Sequence, residues 1–425
     1  MYNIFRITFI AAILCAGSLL LPRQEAVAGA RINMPYSMFG VGELRFNNYF
    51  QNLGGGGLSL GYKSNMSIND VNPASYSGFD RQSFVFETTL FSHFYEQKTQ
   101  NFEQQSDFLS LGHISFGFPV TSWWSFAAGL KPYSSVGYQI RDARQEEAGS
   151  VHYIYEGSGG LNQVFLGSAF EFMPGFSAGV NMSYIFGDVN NETSVLSDSV
   201  GVYRTNLINT DRVKGWLMGV GLQYTHEISS ERDITFGVTA GNQTDATVNR
   251  SETLRRSLPG VLDYDTISYR ELDEGTLTLP AYWGAGFFAK INPSWSTGMD
   301  FQWQNWESYE IMGEQEDFNN SYQFAAGVEF TPTRETYTNI FRRIRYSAGL
   351  RYGQAHFQPD PDPLNEFGIS FGLNIPVRRT FNGVTIGFEY SRRGSDDSHL
   401  MQEDFYRLNV GINIYEQWFI RRRFY

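Results

Sequence analysis

The residues through which this chain could do acid–base, nucleophilic or metal chemistry are six histidines, one cysteine and scattered carboxylates. His93, His113, His152, His226, His356 and His399 form no HExxH helix and no other close pair with metal-ligand spacing. The tightest nucleophile–base arrangement is His113-Ile114-Ser115. A His and a Ser two apart share one face of a strand, as a hydrolytic pair must. Ile114, Phe116 and Phe118 take the apolar face here, so His113 and Ser115 turn the other way, and the neighbouring stretch 122–140 supplies no Asn to orient the histidine. The pair reads as ordinary interior residues. Cys15 lies in a leader segment, so the mature chain is expected to have no thiol, no disulfide and no thiolate metal site. The net charge of −12 gathers partly in Glu314-Gln315-Glu316-Asp317 and Asp396-Asp397. These stretches suit either solvated loops or sites for calcium and lipopolysaccharide. No basic patch suits nucleic acid. No catalytic residue, resident metal or cofactor is expected.

The elements that position these residues are strands. Phe176, Ala178, Val180, Met182, Tyr184 and Phe186 alternate with Ser177, Gly179, Asn181, Ser183 and Ile185. Trp216, Met218, Val220, Leu222 and Tyr224 alternate with Leu217, Gly219, Gly221, Gln223 and Thr225. Phe367, Ile369, Phe371, Leu373, Ile375 and Val377 alternate with Gly368, Ser370, Gly372, Asn374 and Pro376. Apolar faces five or six residues deep, opposed by Gly, Ser, Thr and Asn, suit lipid outside and a polar or crowded lumen inside. Aromatics at 16%, 43 glycines and charged residues at only 18% fit the same class. Beyond the N-terminus no run of 18 apolar residues occurs, which excludes a helical membrane protein. The reading is all-β: a transmembrane antiparallel β-barrel of about fourteen strands with an N-terminal lumenal plug. The strands are expected near 83–96, 107–120, 122–140, 158–173, 175–190, 212–228, 232–248, 277–291, 295–310, 322–333, 344–357, 364–378, 381–395 and 404–419.

Connections after strands two, four, six, eight and twelve are short, the one after strand ten, near Thr333 to Arg343, is longer, and those after odd strands, such as 188–211 and 249–276, are mostly long and polar. That segregation predicts a bacterial outer-membrane barrel with both termini periplasmic. Trp123, Trp124, Trp283, Trp295 and Trp418 fall near strand ends, where an indole is stable at headgroup level. The terminal Trp418-Phe419, followed by Arg421-Arg422-Arg423-Phe424-Tyr425, suits recognition by barrel-assembly machinery, or an ordinary strand end with a basic tail. Arg6, the apolar run Ile7 to Leu21 and Ala26-Val27-Ala28 predict a signal peptide over 1–28 and a mature start at Gly29. Residues 29–82 hold Gly54-Gly55-Gly56-Gly57 and Asn72-Pro73-Ala74, and 83–425 form the barrel. A floppy leader and a folded plug are both compatible with 29–82. The plug is favoured because a bare fourteen-strand barrel would hold an open channel.

Asn72-Pro73-Ala74 ahead of about fourteen strands resembles the FadL/TodX-type outer-membrane transporters of hydrophobic compounds. Pro35 to Gly42 and Pro132 to Tyr138 resemble its Bacteroidota branch. The resemblance implies an N-terminal hatch carrying Asn72, Pro73 and Ala74. It implies a channel for hydrophobic small molecules such as long-chain fatty acids, with an apolar capture groove in the long loops. Leu196, Val200, Leu258, Val261 and Leu262 are the groove candidates, and mutual packing of those residues is the plainer alternative. Pro132 lacks the N–H a ladder needs, so it predicts a bend or bulge eased by Gly137, unless it sits at the rim. In the family the third strand kinks into a side opening, so Pro132 and Gly137 are the candidates for one. The branch also holds barrels that serve secretion machinery. A non-transporting barrel docking to an outer-membrane secretion or assembly complex therefore stands beside the channel, and an aqueous porin stands third. Expected partners are outer-membrane lipid and lipopolysaccharide, the barrel-assembly machinery, a hydrophobic ligand and a protein partner in the membrane.

Overall fold

A computed structural model describes residues 34–44, 49–99, 102–146, 149–197, 202–258, 264–333, 339–357, 364–377, 383–394 and 401–417. The leader segment and Trp418 lie outside these residues. Fourteen antiparallel wall strands close into a barrel. In chain order they are Ser83–Thr99, Phe102–Pro119, Trp124–Pro132 continued by Ser134–Glu146, Gly149–Met173, Phe176–Ser197, Arg204–Ser229 and Arg232–Gly241 continued by Thr244–Ser257. The eighth is Gly275–Leu279 continued by Tyr282–Lys290. Then come Trp295–Gln304, Ser321–Phe330, Arg345–Gln354, Asn365–Pro376, Gly383–Arg393 and Gln402–Gln417. Closure is the pairing of strand one with strand fourteen, from Ser83↔Gln417 to Lys98↔Gln402.

Alternation sorts the side chains as the sequence requires. Met182, Trp216, Met218, Leu222, Phe324 and Phe371 are exposed, whereas Ser177, Asn181, Ser183, Gln223, Gln323 and Ser370 are buried. Large apolar side chains outside and small polar ones inside are stable only when lipid surrounds the wall. The belt ends in aromatics at both rims. Trp123 and Trp295 mark the rim with the short turns; Trp216, Trp283 and Tyr352 mark the opposite one.

The stretches 188–211 and 249–276, expected as long loops, are largely regular sheet. Strand five pairs with strand six as far as Val195↔Thr205, and strand seven runs to Ser257 beside Asp265–Glu271. The reason is physical. Apolar alternation stops where lipid stops, but backbone pairing does not need lipid, so the ladder continues into water with polar side chains. Strand nine, expected to reach 310, ends at Gln304, and Trp306–Ser308 then forms a 3₁₀ turn.

Candidate functional site

The interior is occupied by the chain itself. Asn72 caps the 3₁₀ helix Pro73–Gly78, accepting from Ala74 N at 3.2 Å, with Pro73 at the first helical position where no N–H is needed. The Asn72 amide also donates to Leu60 O (2.8 Å), Leu222 O (3.3 Å) and Val238 O (3.5 Å), which ties the motif to strands six and seven. On strand nine, Asp300 accepts from Ser59 N (2.6 Å) and Leu60 N (2.9 Å). Tyr76 donates its hydroxyl to Asn181 on strand five at 3.0 Å. Residues 49–83 thus touch the inward faces of strands around most of the wall.

Wall glycines make that approach possible. A Cβ at Gly237 would fall 1.8 Å from Leu60 O, at Gly349 2.1 Å from Gly56 N, and at Gly327 2.3 Å from Gly55 O. Gly221 and Gly179 face Asn72 and Pro73 as closely. From alternation alone, Gly179 and Gly221 belong simply to a polar face. The recurrence of glycine at inward positions of strands five, six, seven, ten and eleven was the available signal for backbone contact.

A second layer lies toward the rim opposite the short turns. Inward-facing Leu161, Ile185, Val213, Val248, Leu277 and Leu279 from strands four to eight make an apolar surface. The connection after strand nine covers it with Trp306, Tyr309 and Phe318, all buried. Trp306 stacks on His356 at 4.0 Å, and its indole N–H donates to Gln304 at 2.8 Å. Tyr36 and Val41 belong to the same cluster. This closure was not foreseen, because the apolar residues of 305–320 are isolated in sequence and show no alternation.

Across the barrel, strands eleven to fourteen carry an inward ionic network. Arg351 meets Glu366 at 2.6 Å and Glu389 at 2.7 Å, and Arg407 meets Glu366 at 2.9 Å. Arg393 reaches Glu366 at 3.1 Å, Glu403 at 3.7 Å and, from the N-terminal segment, Glu43 at 3.0 Å. All six wall members are buried, and Arg393 stands over the Phe405 ring at 4.8 Å. Charges at inward parity on adjacent strands were its legible signal.

Strand three is broken. Pro132 still pairs with Asn162 of strand four, but Tyr133 interrupts the strand, and its ladder with strand two ends at Ile114↔Leu130. Among the described residues, 102–113 of strand two have no pairing with strand three. Beyond the break, Ser134 and Ser135 pair instead with Leu44 and Glu43. Met34 N donates to Gly137 O at 2.7 Å, and Gly137 N donates to Ser37 Oγ at 3.0 Å. The N-terminal segment therefore takes part of the edge that strand two leaves.

Of the groove candidates, Leu196 is half-buried near the end of strand five, opposite His152, and Leu258 is exposed just past strand seven. Val200, Val261 and Leu262 lie outside the described residues. His113 and Ser115 face inward and are buried, with His113 Nε2 3.7 Å from Glu87. Gly40 N donates to Glu316 at 3.2 Å, while Asp396-Asp397 lie outside the described residues. Among the described residues no cluster of three potential metal ligands occurs.

A family model described as BamG matches residues 8–425. The chain belongs to the BamG family. No curated protein sequence matches it. Solved structures share the fold of this BamG-family chain at low identity. The toluene transporter TodX of Pseudomonas putida is 16% identical, with a TM-score of 0.59 over 89% of this chain and 100% of that one. The CymD monoaromatic hydrocarbon channel is 11% identical, with a TM-score of 0.56 over 89% and 100%. A FadL homologue of Pseudomonas aeruginosa is 13% identical, with a TM-score of 0.54 over 88% and 98%. The FadL/TodX-type barrel expected from Asn72-Pro73-Ala74 and the strand count is thus the fold found.

Proposed function

We propose that this chain is a closed-lumen outer-membrane barrel that acts as a docking partner within the barrel-assembly machinery rather than as a conduit. The observation that carries the reading is the packing of Trp306, Tyr309 and Phe318 onto the apolar lumen layer of strands four to eight. A transporter of apolar molecules needs such a surface free for its ligand; here the chain's own aromatics cover it. Residues 49–83 act as the plug beneath, held by the Asn72 amide and the glycine cradle. The family description points to the same machinery. In this reading the short-turn rim and both termini face the periplasm. Filled as it is, the lumen does not suit an aqueous porin. Two measurements test the proposal together. Planar-bilayer recordings of the purified protein should show no sustained conductance, and affinity isolation from native membranes should recover the central assembly barrel in stoichiometric amount. Steady conductance with no co-isolated barrel refutes it.

A second reading, passage of hydrophobic compounds, has one observation in its favour. The break at Tyr133, between Pro132 and Gly137, leaves strands two and three unpaired near the exposed Leu109 and Leu111. An apolar molecule in the lumen could leave sideways into lipid there, with Leu196 and Leu258 near its point of capture. Long-chain fatty acids and small aromatic hydrocarbons are the substrate classes to try. Uptake that survives locking residues 110 and 134 together with a short cross-linker would exclude the side exit.

A further inference from the structure

A concavity opens at the short-turn rim, inside the ring of wall strands. It encloses about 940 Å³, and residues 49–67 form much of its floor. That volume is at the upper end of the roughly 300–1,000 Å³ typical of ligand sites. The lining carries four cations and two carboxylates. Lys290 is matched by Asp233 at 2.8 Å and Arg345 by Glu329 at 3.6 Å, with Arg345 also donating to the Tyr62 hydroxyl at 2.6 Å. Lys63 and Arg343 have no carboxylate within ion-pair distance among the described residues.

Burial pushes the Lys63 ammonium below its ordinary pKa, against the opposing pull of Glu171 on strand four and with the push of Lys290. A half-buried ammonium desolvated this way is short of counter-charge. The cavity thus offers two cations beyond those its own carboxylates match.

We propose that this vestibule receives an acidic, extended peptide segment of a soluble partner protein. The proposal builds on the docking reading by naming the chemistry of what docks. Lipid headgroups are a poor fit, because the wall strands separate the cavity from the bilayer. A small anion would satisfy Lys63 but leave most of the volume to water. An extended chain brings carboxylates to both Lys63 and Arg343 and fills the remaining volume. Tyrosine rings with amide and hydroxyl side chains are the composition that grips peptides at low entropic cost.

The test uses the full-length protein in zwitterionic nanodiscs, with fluorescein-labelled oligo-glutamate and oligo-glutamine peptides followed by anisotropy. Oligo-glutamate should bind saturably, and Lys63→Gln and Arg343→Gln should each weaken it by about tenfold, as loss of one charge-assisted contact does. Heat-modifiable migration on cold gels checks folding. Should Lys63→Gln fail that check, Arg343→Gln at the rim carries the test alone. Equal binding of the two peptides, or affinity unchanged in the folded variants, overturns the proposal. So does equally effective competition by inorganic phosphate at matched charge, which would mark a simple anion site. Co-isolation with the assembly barrel is scored separately. A chain that co-isolates but ignores oligo-glutamate refutes the vestibule alone, and one that binds peptide without co-isolating refutes the docking reading alone.

Discussion

Arg393 is the residue whose loss should say most about how the interior is held. Its guanidinium is 2% exposed and is shared among Glu43, Glu366 and Glu403. In Arg393→Met, Glu366 keeps Arg351 and Arg407, but among the described residues Glu43 is left with no cation and Glu403 with the Gln97 amide alone. Breaking a buried pair from one side costs about 3–5 kcal/mol, because the orphaned carboxylates must be hydrated or protonated. The lost stacking over Phe405 adds about 0.5–2 kcal/mol. Protonation of Glu43 or Glu403 caps the total, so we expect about 4 kcal/mol. Adding Glu43→Gln removes one orphan and should recover about 1–2 kcal/mol, the cost of an unpaired buried charge relative to a neutral amide. The assay is urea unfolding in lipid vesicles, followed by tryptophan fluorescence and by heat-modifiable migration. A loss below about 1 kcal/mol, within the usual range for a solvated pair, would show that water reaches the network and that the barrel is open at this level. A double variant less stable than the single one would refute the charge argument itself.

Three other outcomes are expected. Trp306→Ala should destabilise by about 3–5 kcal/mol and create an apolar lumenal cavity, detectable as saturable binding of a fluorescent fatty-acid or benzene-sized probe; wild-type-like stability with no probe binding would mean that Trp306 does not fill the lumen. Gly237→Ala places a Cβ 1.8 Å from Leu60 O, so it should displace residues 49–83 and expose them to protease from the short-turn side, whereas an unchanged digestion pattern would show that the close approach is absent. Cysteines replacing Ile114 and Leu130, which are ladder partners, should form a disulfide readily; cysteines replacing Ser110 and Ser134, which would be partners if the ladder continued, should not, and efficient oxidation of the second pair would close the break in strand three.

The contents of the interior and the FadL-type wall are separable properties. The wall is set by lipid on one side, and any filling that satisfies the inward groups keeps it stable. A barrel of this kind can therefore hold its fold at 11–16% identity to solved hydrocarbon channels while its inward residues change. The three layers that occupy the interior use different means: backbone seated on glycine, aromatic rings on aliphatic side chains, and arginines among carboxylates. Each is contributed by segments far apart in the chain, from Glu43 to Arg407.

What the sequence determined by itself was whatever lipid imposes residue by residue. Period-two alternation from Phe176 to Phe186 and from Phe367 to Val377 is enforced at every position, because a polar side chain facing hydrocarbon is costly wherever it occurs. Strand count, closure and the facing of His113 and Ser115 followed from that alone. Pro132 likewise marked the interruption of strand three, since a missing N–H is a local property. Tertiary structure decided the rest. Whether Asn72 caps a turn against Leu222 and Val238, whether Trp306 covers Leu277 or hangs in solvent, and which carboxylate Arg393 finds depend on inward groups brought together from opposite sides of a cylinder. No periodicity governs those encounters. The strand ends at Ser197 and Ser257 escaped for the related reason that pairing in water leaves no apolar trace. A lipid-facing surface writes its constraint into neighbouring residues; an interior filled from many directions writes it only into the fold.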